Sequence, residues 1–404
     1  MPLTRRSFLA RAAASGAAAA FGAQGAFALP RRGGDAADLP ALVVLQLAGG
    51  NDGLSTVVPF ADDAYRRLRK ATRVEPHEVL KLDEATGLHP NLKGLRALYG
   101  DGKLAVVRGA GYPDPNRSHF ESYEIWHAAD RRGRDVDTGW LGRAADLLSD
   151  DATGAAAVVH LGKQAPFSLT AKRRPPVVFE TPDAYRWIGG DKEAAALADS
   201  IDEDPPARAG RDEALGKVRR ALREAQASSA AVRAAAKNYR PKADYPRSPL
   251  AGALRTAAGL VAGGVGVRIF SLEMGGFDTH VGQRPRHDAL MTQLGDALRA
   301  FYDDLGKAGL DRRVTTLVFS EFGRRAAENG SAGTDHGAAS CLFVAGGAVR
   351  GGLYGAPPDL EDLSQGDPRF TVDFRRVYAS LLERVIGVDA AAVLGRDFPS
   401  LPLF

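Results

Sequence analysis

The stretch "ALVVLQLAGGNDG", residues 41–53, decides how this chain is read. Its first seven residues are almost wholly apolar, too few for a stable helix, and stopped by Gly49 and Gly50. A run apolar on both faces belongs to a strand covered on both sides, as in a parallel sheet. The same design returns in "KLAVVRGAG" (103–111), "GVRIFSLEMGG" (266–276) and "RVTTLVFSEFG" (313–323), with "AASCLFVAGGAV" (338–349) as a fifth candidate. Helical patterns lie between them at 61–71, 119–131, 287–309 and 374–387. Strands alternating with helices predict an α/β fold, a mostly parallel central sheet with helices on both faces.

Residues 41–404 read as a single α/β domain, and the segment from about 150 to 250 differs from the rest. Its apolar runs are weak ("AAAVVHLG", "PPVVFET"). It carries an acidic link, "DSIDEDPPARAG", and an Ala/Arg/Glu-rich helical stretch at 211–238. It is expected to be a helical insertion or cap. At the N-terminus, Arg5 and Arg6 precede Ser7-Phe8-Leu9, an Ala-rich apolar run and the small-x-small triplet "AFA" at 26–28. That order is a twin-arginine signal peptide over 1–28, followed by a polar linker over 29–40. It predicts passage through the twin-arginine translocase to the periplasm or the exterior. No later run is long enough to span a bilayer, so no stable membrane insertion is expected.

Formal charge is +4, and removal of Arg5, Arg6 and Arg11 with the signal takes it to +1. The basic balance is therefore no argument for a nucleic-acid partner. The single cysteine, Cys341, excludes an internal disulfide and sits in an apolar run, as a core thiol does.

In open α/β sheets ligands bind beyond the carboxyl ends of the strands. Here those ends carry Asn51 and Asp52, then Arg117, Ser118 and His119, then Asp278 and His280, then Glu321 and Arg324, with Asp335 and His336 in the glycine-rich loop that follows. Singly, each is ordinary: Asp52 suits a turn, and Ser118 with Glu121 suits a helix capping box. Asp278 and His280 are two apart, so on an extended segment they face one side. Gathered in one crevice, Asp52, Asp278, Glu321 and Asp335 would repel, and a divalent cation relieves that repulsion. With His280 and His336 added, the mixed oxygen and nitrogen set suits zinc or manganese, as one or two ions. His119 is a candidate acid/base or ligand. His89, His127, His160 and His287 are expected in packing or surface roles.

On "LAGGNDGLSTVVPF", "RSHFES", "GWLGR", "GGFDTH", "SEFGRR" and "NGSAGTDHG", spread over 41 to about 355, the chain resembles the bacterial domain-of-unknown-function-1501 family. That family's fold is related to alkaline phosphatases and sulfatases. The resemblance implies Asp52, Asp278, His280, Glu321, Asp335 and His336 as metal ligands and Ser118 as a nucleophile, with His119 beside it. Asn51, Arg117 and Arg324 would then hold an anionic substrate. One histidine of the related enzymes' set is missing, and Glu321 stands where they place aspartate. "SHFES" also lacks the proline and arginine of the sulfatase maturation motif. The function implied is a secreted metal-dependent hydrolase or transferase acting on a phosphate or sulfate ester. The alternative is a non-catalytic cell-envelope protein binding an anionic glycan or a protein partner.

Overall fold

The structure is a computed structural model that describes residues 39–129, 137–148, 157–173, 175–185 and 228–404. The expected signal peptide, all but the end of the linker, and the acidic link of the 150–250 segment lie outside these residues. The central sheet contains β1 (Ala41–Leu47), β2 (Leu104–Gly111), β3 (Ala157–Leu161), β4 (Val177–Phe179), β5 (Val267–Met274), β6 (Val314–Phe319), β7 (Ser340–Ala345) and β8 (Gly352–Tyr354). Their order is β8-β2-β7-β6-β1-β5-β3-β4, and a short piece at Val372–Asp373 pairs with β2. β1 is central and parallel to both its neighbours, β5 and β6. β7 alone among these runs against its neighbours, β2 and β6. This is the α/β class with a mostly parallel, mixed sheet. β3 and β4 fall inside the 150–250 segment, so that segment's first part is built into the sheet edge and does not cap it.

Alternation along β1 explains why its run is apolar throughout. Ala41, Val43, Leu45 and Leu47 enter one core, with α1 (Lys93–Gly100), α4 (Pro249–Ala262) and α5 (Gln283–Ala308). Leu42 and Val44 enter the other, with α2 (His119–Ala128), α3 (Trp140–Leu148) and α6 (Phe374–Leu381). In that second core Trp126 stacks on Phe374 and Trp140 on Tyr378, each with ring centroids 4.0 Å apart. Such pairs add about 0.5–1.5 kcal/mol beyond the area they bury. α5 ends in a glycine cap: Gly309 takes φ 74° and Leu310 N–H reaches back to the Leu305 carbonyl. Cys341 is buried and its thiol is pushed up to about 12 by burial, which makes it a core residue. Among the described residues no helix is long and apolar enough to cross a membrane.

The reversal of β7 positions the site. Because β6 and β7 are antiparallel neighbours, the loop joining them begins and ends at the carboxyl edge of the parallel strands. Residues 320–339 are thus confined to the edge where β1 and β5 also end. Two glycines after β1 let the loops close up. A Cβ on Gly49 would stand 2.5 Å from the Asp278 nitrogen, and one on Gly50 2.2 Å from the Phe322 ring. Both have positive φ, so a side chain at either position would be excluded twice over.

Buried imidazoles set an acid limit on the fold. Burial pushes His127 and His160 down to about 4 and His287 to about 3. Their partners are the Gln46 amide, Ser271 and Asn51, none of them a full charge. Unfolded, each titrates near 6.5. Between those limits the unfolded chain binds protons that the fold refuses, so stability falls as pH drops below about 6.5, by up to about 1.4 kcal/mol per pH unit per histidine. The thermal midpoint should therefore decline steeply from pH 6.5 towards 4.5, and His127→Gln should shed part of that slope. A flat profile in this window would contradict the burial of these rings.

Candidate metal centre

Four side chains converge at the carboxyl edge. His280 Nε2 lies 3.0 Å from His336 Nε2 and 3.0 Å from Asp278 Oδ1, and His336 Nε2 lies 3.1 Å from the same oxygen. His119 Nε2 stands 3.8 Å from Asp278 Oδ2. His119, Asp278 and His336 each offer a ligand atom within 4.8 Å of the others. They come from the helix start after β2, the loop after β5 and the loop before β7. The Phe322 ring packs beside two of the imidazoles, with centroids 4.8 Å from His119 and 4.7 Å from His336.

Each imidazole is held from behind through Nδ1. His119 donates to Glu321 Oε1 at 2.8 Å, His280 to Asp335 Oδ1 at 3.2 Å, and His336 to the Arg117 carbonyl at 2.9 Å. Burial alone would raise the Glu321 carboxyl. Hydrogen bonds from His119, the Gly49 N–H and Ser320 outweigh it and leave Glu321 below its ordinary value. Asp335 is likewise lowered, first by the Asn329 amide and then by His280. All three partners are acceptors, so Nδ1 carries a proton, and in the uncharged ring Nε2 directs its lone pair into the cluster. Carboxylate-backed or carbonyl-backed histidine is the usual support of a metal ligand.

The donor set fits a divalent cation. With both rings uncharged, Nε2 atoms 3.0 Å apart have no hydrogen to share, and both also face the Asp278 carboxylate. Burial would raise Asp278, but the hydrogen bond and charge of Arg324 hold it at about 2, so it too is ionised. Three lone-pair bearers at this spacing can be bridged by a proton or by a cation. Ligand atoms on a tetrahedral ion with bonds of about 2.0–2.2 Å stand roughly 3.3–3.6 Å apart, so only a small expansion is required. The Glu321 hydrogen bond raises His119 above the ordinary imidazole value, so protons compete with a cation and binding should weaken in acid. Glu321→Gln should reduce metal affinity about 10–100-fold by loosening His119, as measured by competition with a chromogenic chelator. Unchanged affinity would remove Glu321 from this supporting role.

Several residues expected in the site stand elsewhere. Asp52 does not face the cluster: both its oxygens are occupied by Arg69 (2.6 and 3.1 Å), Ser55 Oγ, the Leu54 N–H and the Gln283 amide, with no exposed surface. It forms a buried ion pair with Arg69 and caps the turn Gly53–Thr56. Glu321 is fully buried and stands behind His119, to whose Nδ1 it is hydrogen-bonded. Asn51 is buried, with its Oδ1 against Thr56 and His287. Arg324 is also buried. Its guanidinium binds the carbonyls of Gly49, Gly50, Phe277 and Thr334 and reaches Asp278 at 2.8 Å. It is the clamp that ties the three loops together, because an arginine's fixed fork suits several carbonyls at once. Arg117 is half-buried and paired with Asp367 at 2.8 Å. Ser118 is exposed at the start of α2, and its side chain makes no cap bond. Asn116 accepts the Ser118 N–H and donates to Glu121, which replaces the expected capping box.

The sequence reading missed the pairing of His119 with Glu321, whose partners are 202 residues apart. A histidine at a helix start after a parallel strand was the available signal.

An α/β chain with a histidine and aspartate cluster at the carboxyl edge of its sheet is the class of protein that fold and site define. The chain belongs to the family described as protein of unknown function DUF1501, whose model matches residues 99–396. No curated protein matches it. Its fold is similar to that of solved alkaline phosphatase and sulfatase structures. The PsFucS1 sulfatase from Pseudoalteromonas sp. is 10% identical, with 100% of this chain and 75% of that one covered at a TM-score of 0.40. The zinc complex of the C-terminal periplasmic domain of EcEptC from Escherichia coli is 8% identical, with 80% and 77% covered at 0.38. An alkaline phosphatase superfamily protein from Vibrio parahaemolyticus is 12% identical, with 92% and 71% covered at 0.36.

Proposed function

We propose that this chain is an exported metal-dependent hydrolase or transferase acting on a phosphate or sulfate ester. Asp278, His280, His336 and His119 would hold the cation, and Ser118 is the attacking hydroxyl. The observation that carries the reading is the convergence of the His280 and His336 Nε2 atoms on one Asp278 oxygen, at 3.0 and 3.1 Å. When bound, a divalent cation neutralises an anionic ester and lowers the pKa of a hydroxyl near it. The protein's own part is positional. Glu321, Asp335 and the Arg117 carbonyl fix the imidazoles, Arg324 fixes the loops, and Asn116 presents Ser118 with its hydroxyl free of capping duty. Ser118 directly precedes His119, so the nucleophile and one imidazole share a helix start.

The test is elemental analysis of protein folded with zinc or manganese present, followed by a panel of phosphate and sulfate esters. Stoichiometric metal with turnover of an ester is expected. Protein that takes up no metal and turns over no ester overturns the proposal. Metal without turnover favours the non-catalytic envelope protein that binds an anionic glycan or a partner.

A further inference from the structure

We infer that the cavity beside the metal cluster is a binding site for a neutral polyhydroxylated group, a sugar or polyol. Its role as the alcohol part of an ester rests on the function proposed above; the binding itself does not. The cavity measures about 730 Å³. One wall is Asn116 and Arg117, which lead directly into Ser118. The facing wall is a hairpin and the residues after it: Gln365, Asp367, Arg369 and Phe370. The Arg117 carbonyl that holds His336 Nδ1 makes this wall common to the cavity and the cluster.

Three observations point to hydroxyl groups as the occupant. Asp367 is 2% exposed, and its Oδ2 accepts from Arg117 at 2.9 Å while its Oδ1 has no partner among the described residues. A buried carboxylate oxygen without a donor is costly, and a ligand hydroxyl supplies that donor. The two arginines of the lining are already paired, Arg117 with Asp367 and Arg369 with Asp362 at 2.9 Å. Each pair offsets its arginine's charge, so the lining attracts a second anion less than bare arginines would, whereas an uncharged polyol needs only hydrogen-bonding groups. The half-buried Phe370 adds an apolar ring face, and cavities with an aromatic wall and a few fixed polar groups suit small ligands.

The hairpin itself is strained at this wall. Leu363–Ser364 pairs antiparallel with Asp367–Pro368, and the two turn residues, Gln365 and Gly366, have φ 54° and 89°. Tight turns of this kind take Asn, Asp or Gly first, because a longer side chain resists positive φ. Glutamine at that position is explained if its exposed amide is used by a ligand, since strained residues cluster at binding sites.

Ligand-observed NMR saturation transfer on the full chain tests this, with methyl α-glucoside, N-acetylglucosamine and glycerol as probes and butanol as control, with and without chelator. At least one polyol should bind, whether or not metal is present. Phe370→Ala and Gln365→Gly should each weaken that binding by about ten-fold, the size of one lost good contact. Gln365→Gly removes the strain, so its unfolding midpoint should be no lower than that of the parent chain. A loss of binding in that variant therefore reports on the site and not on folding. No polyol bound at tens of millimolar, or binding untouched by both variants, overturns the inference. Binding of inorganic phosphate but of no polyol also overturns it and makes the cavity an anion site. Polyol binding in a protein that turns over no ester upholds it while the proposed function falls.

Discussion

Ser118→Ala should lower ester turnover on the order of 10³-fold or more while leaving metal content and thermal stability unchanged. The three readouts separate for a structural reason. A serine at a helix N-cap normally contributes about 0.5–2 kcal/mol through its side chain. Ser118 makes no such bond, and the chain entering α2 is held by Asn116 instead. Removing the hydroxyl therefore costs the fold nothing visible. His119, one residue on, keeps its Glu321 hydrogen bond, so the cluster should keep its cation. Turnover within two-fold of the parent would mean that water attacks, and Ser118 would leave the mechanism.

Asp52→Ala should destabilise the fold by about 3–5 kcal/mol, because it leaves a buried guanidinium without its counter-charge. Arg69 has no exposed surface, and beyond Asp52 its main partners are the carbonyls of Ala326 and Arg325. Burial raises the Asp52 carboxyl, but Arg69's charge and hydrogen bonds outweigh that and hold it well below the carboxylate range. A carboxylate depressed in the fold gives stability that is present above its unfolded pKa near 3.9 and is lost as pH falls below it. This contribution therefore disappears below about pH 4, under the window set by the histidines. Denaturant unfolding measures the loss, and Asp52→Ala with Arg69→Met should recover much of it. Metal stoichiometry should be unchanged in folded Asp52→Ala protein. A lost ion with full stability would restore Asp52 as a ligand.

The two variants address residues that look alike in sequence. Asp52 and Glu321 are both acidic, both follow an apolar strand by one to five residues, and both are fully buried. One serves the fold and the other serves the cluster. Their difference lies in the partner: Arg69, which leaves the one-turn helix Asp63–Leu68, against His119 from the far side of the sheet. Hydropathy and spacing report burial and strand ends, but carry no information on which buried groups face each other.

Sequence by itself determined the class of fold, because buried parallel strands need runs apolar on both faces and leave a visible period. It also determined the edge at which the chemistry collects, since polar residues crowd the exits of those runs. Asp278 with His280, and Asp335 with His336, were readable from neighbours in the chain. α4 went unread because "PLAGALRTAAGLVAGG" is so rich in Ala and Gly that no amphipathic face stands out. Only the tertiary structure decided the reversal of β7, which confines the loop carrying His336 to the carboxyl edge. It alone sorted the polar groups by partner, giving Asp278 and three imidazoles to the cluster, Glu321 and Asp335 to their backs, Arg324 to the loops and Asp52 to Arg69. The physical reason is that hydrogen-bond pairing and charge compensation act through space, between groups that sequence distance does not order.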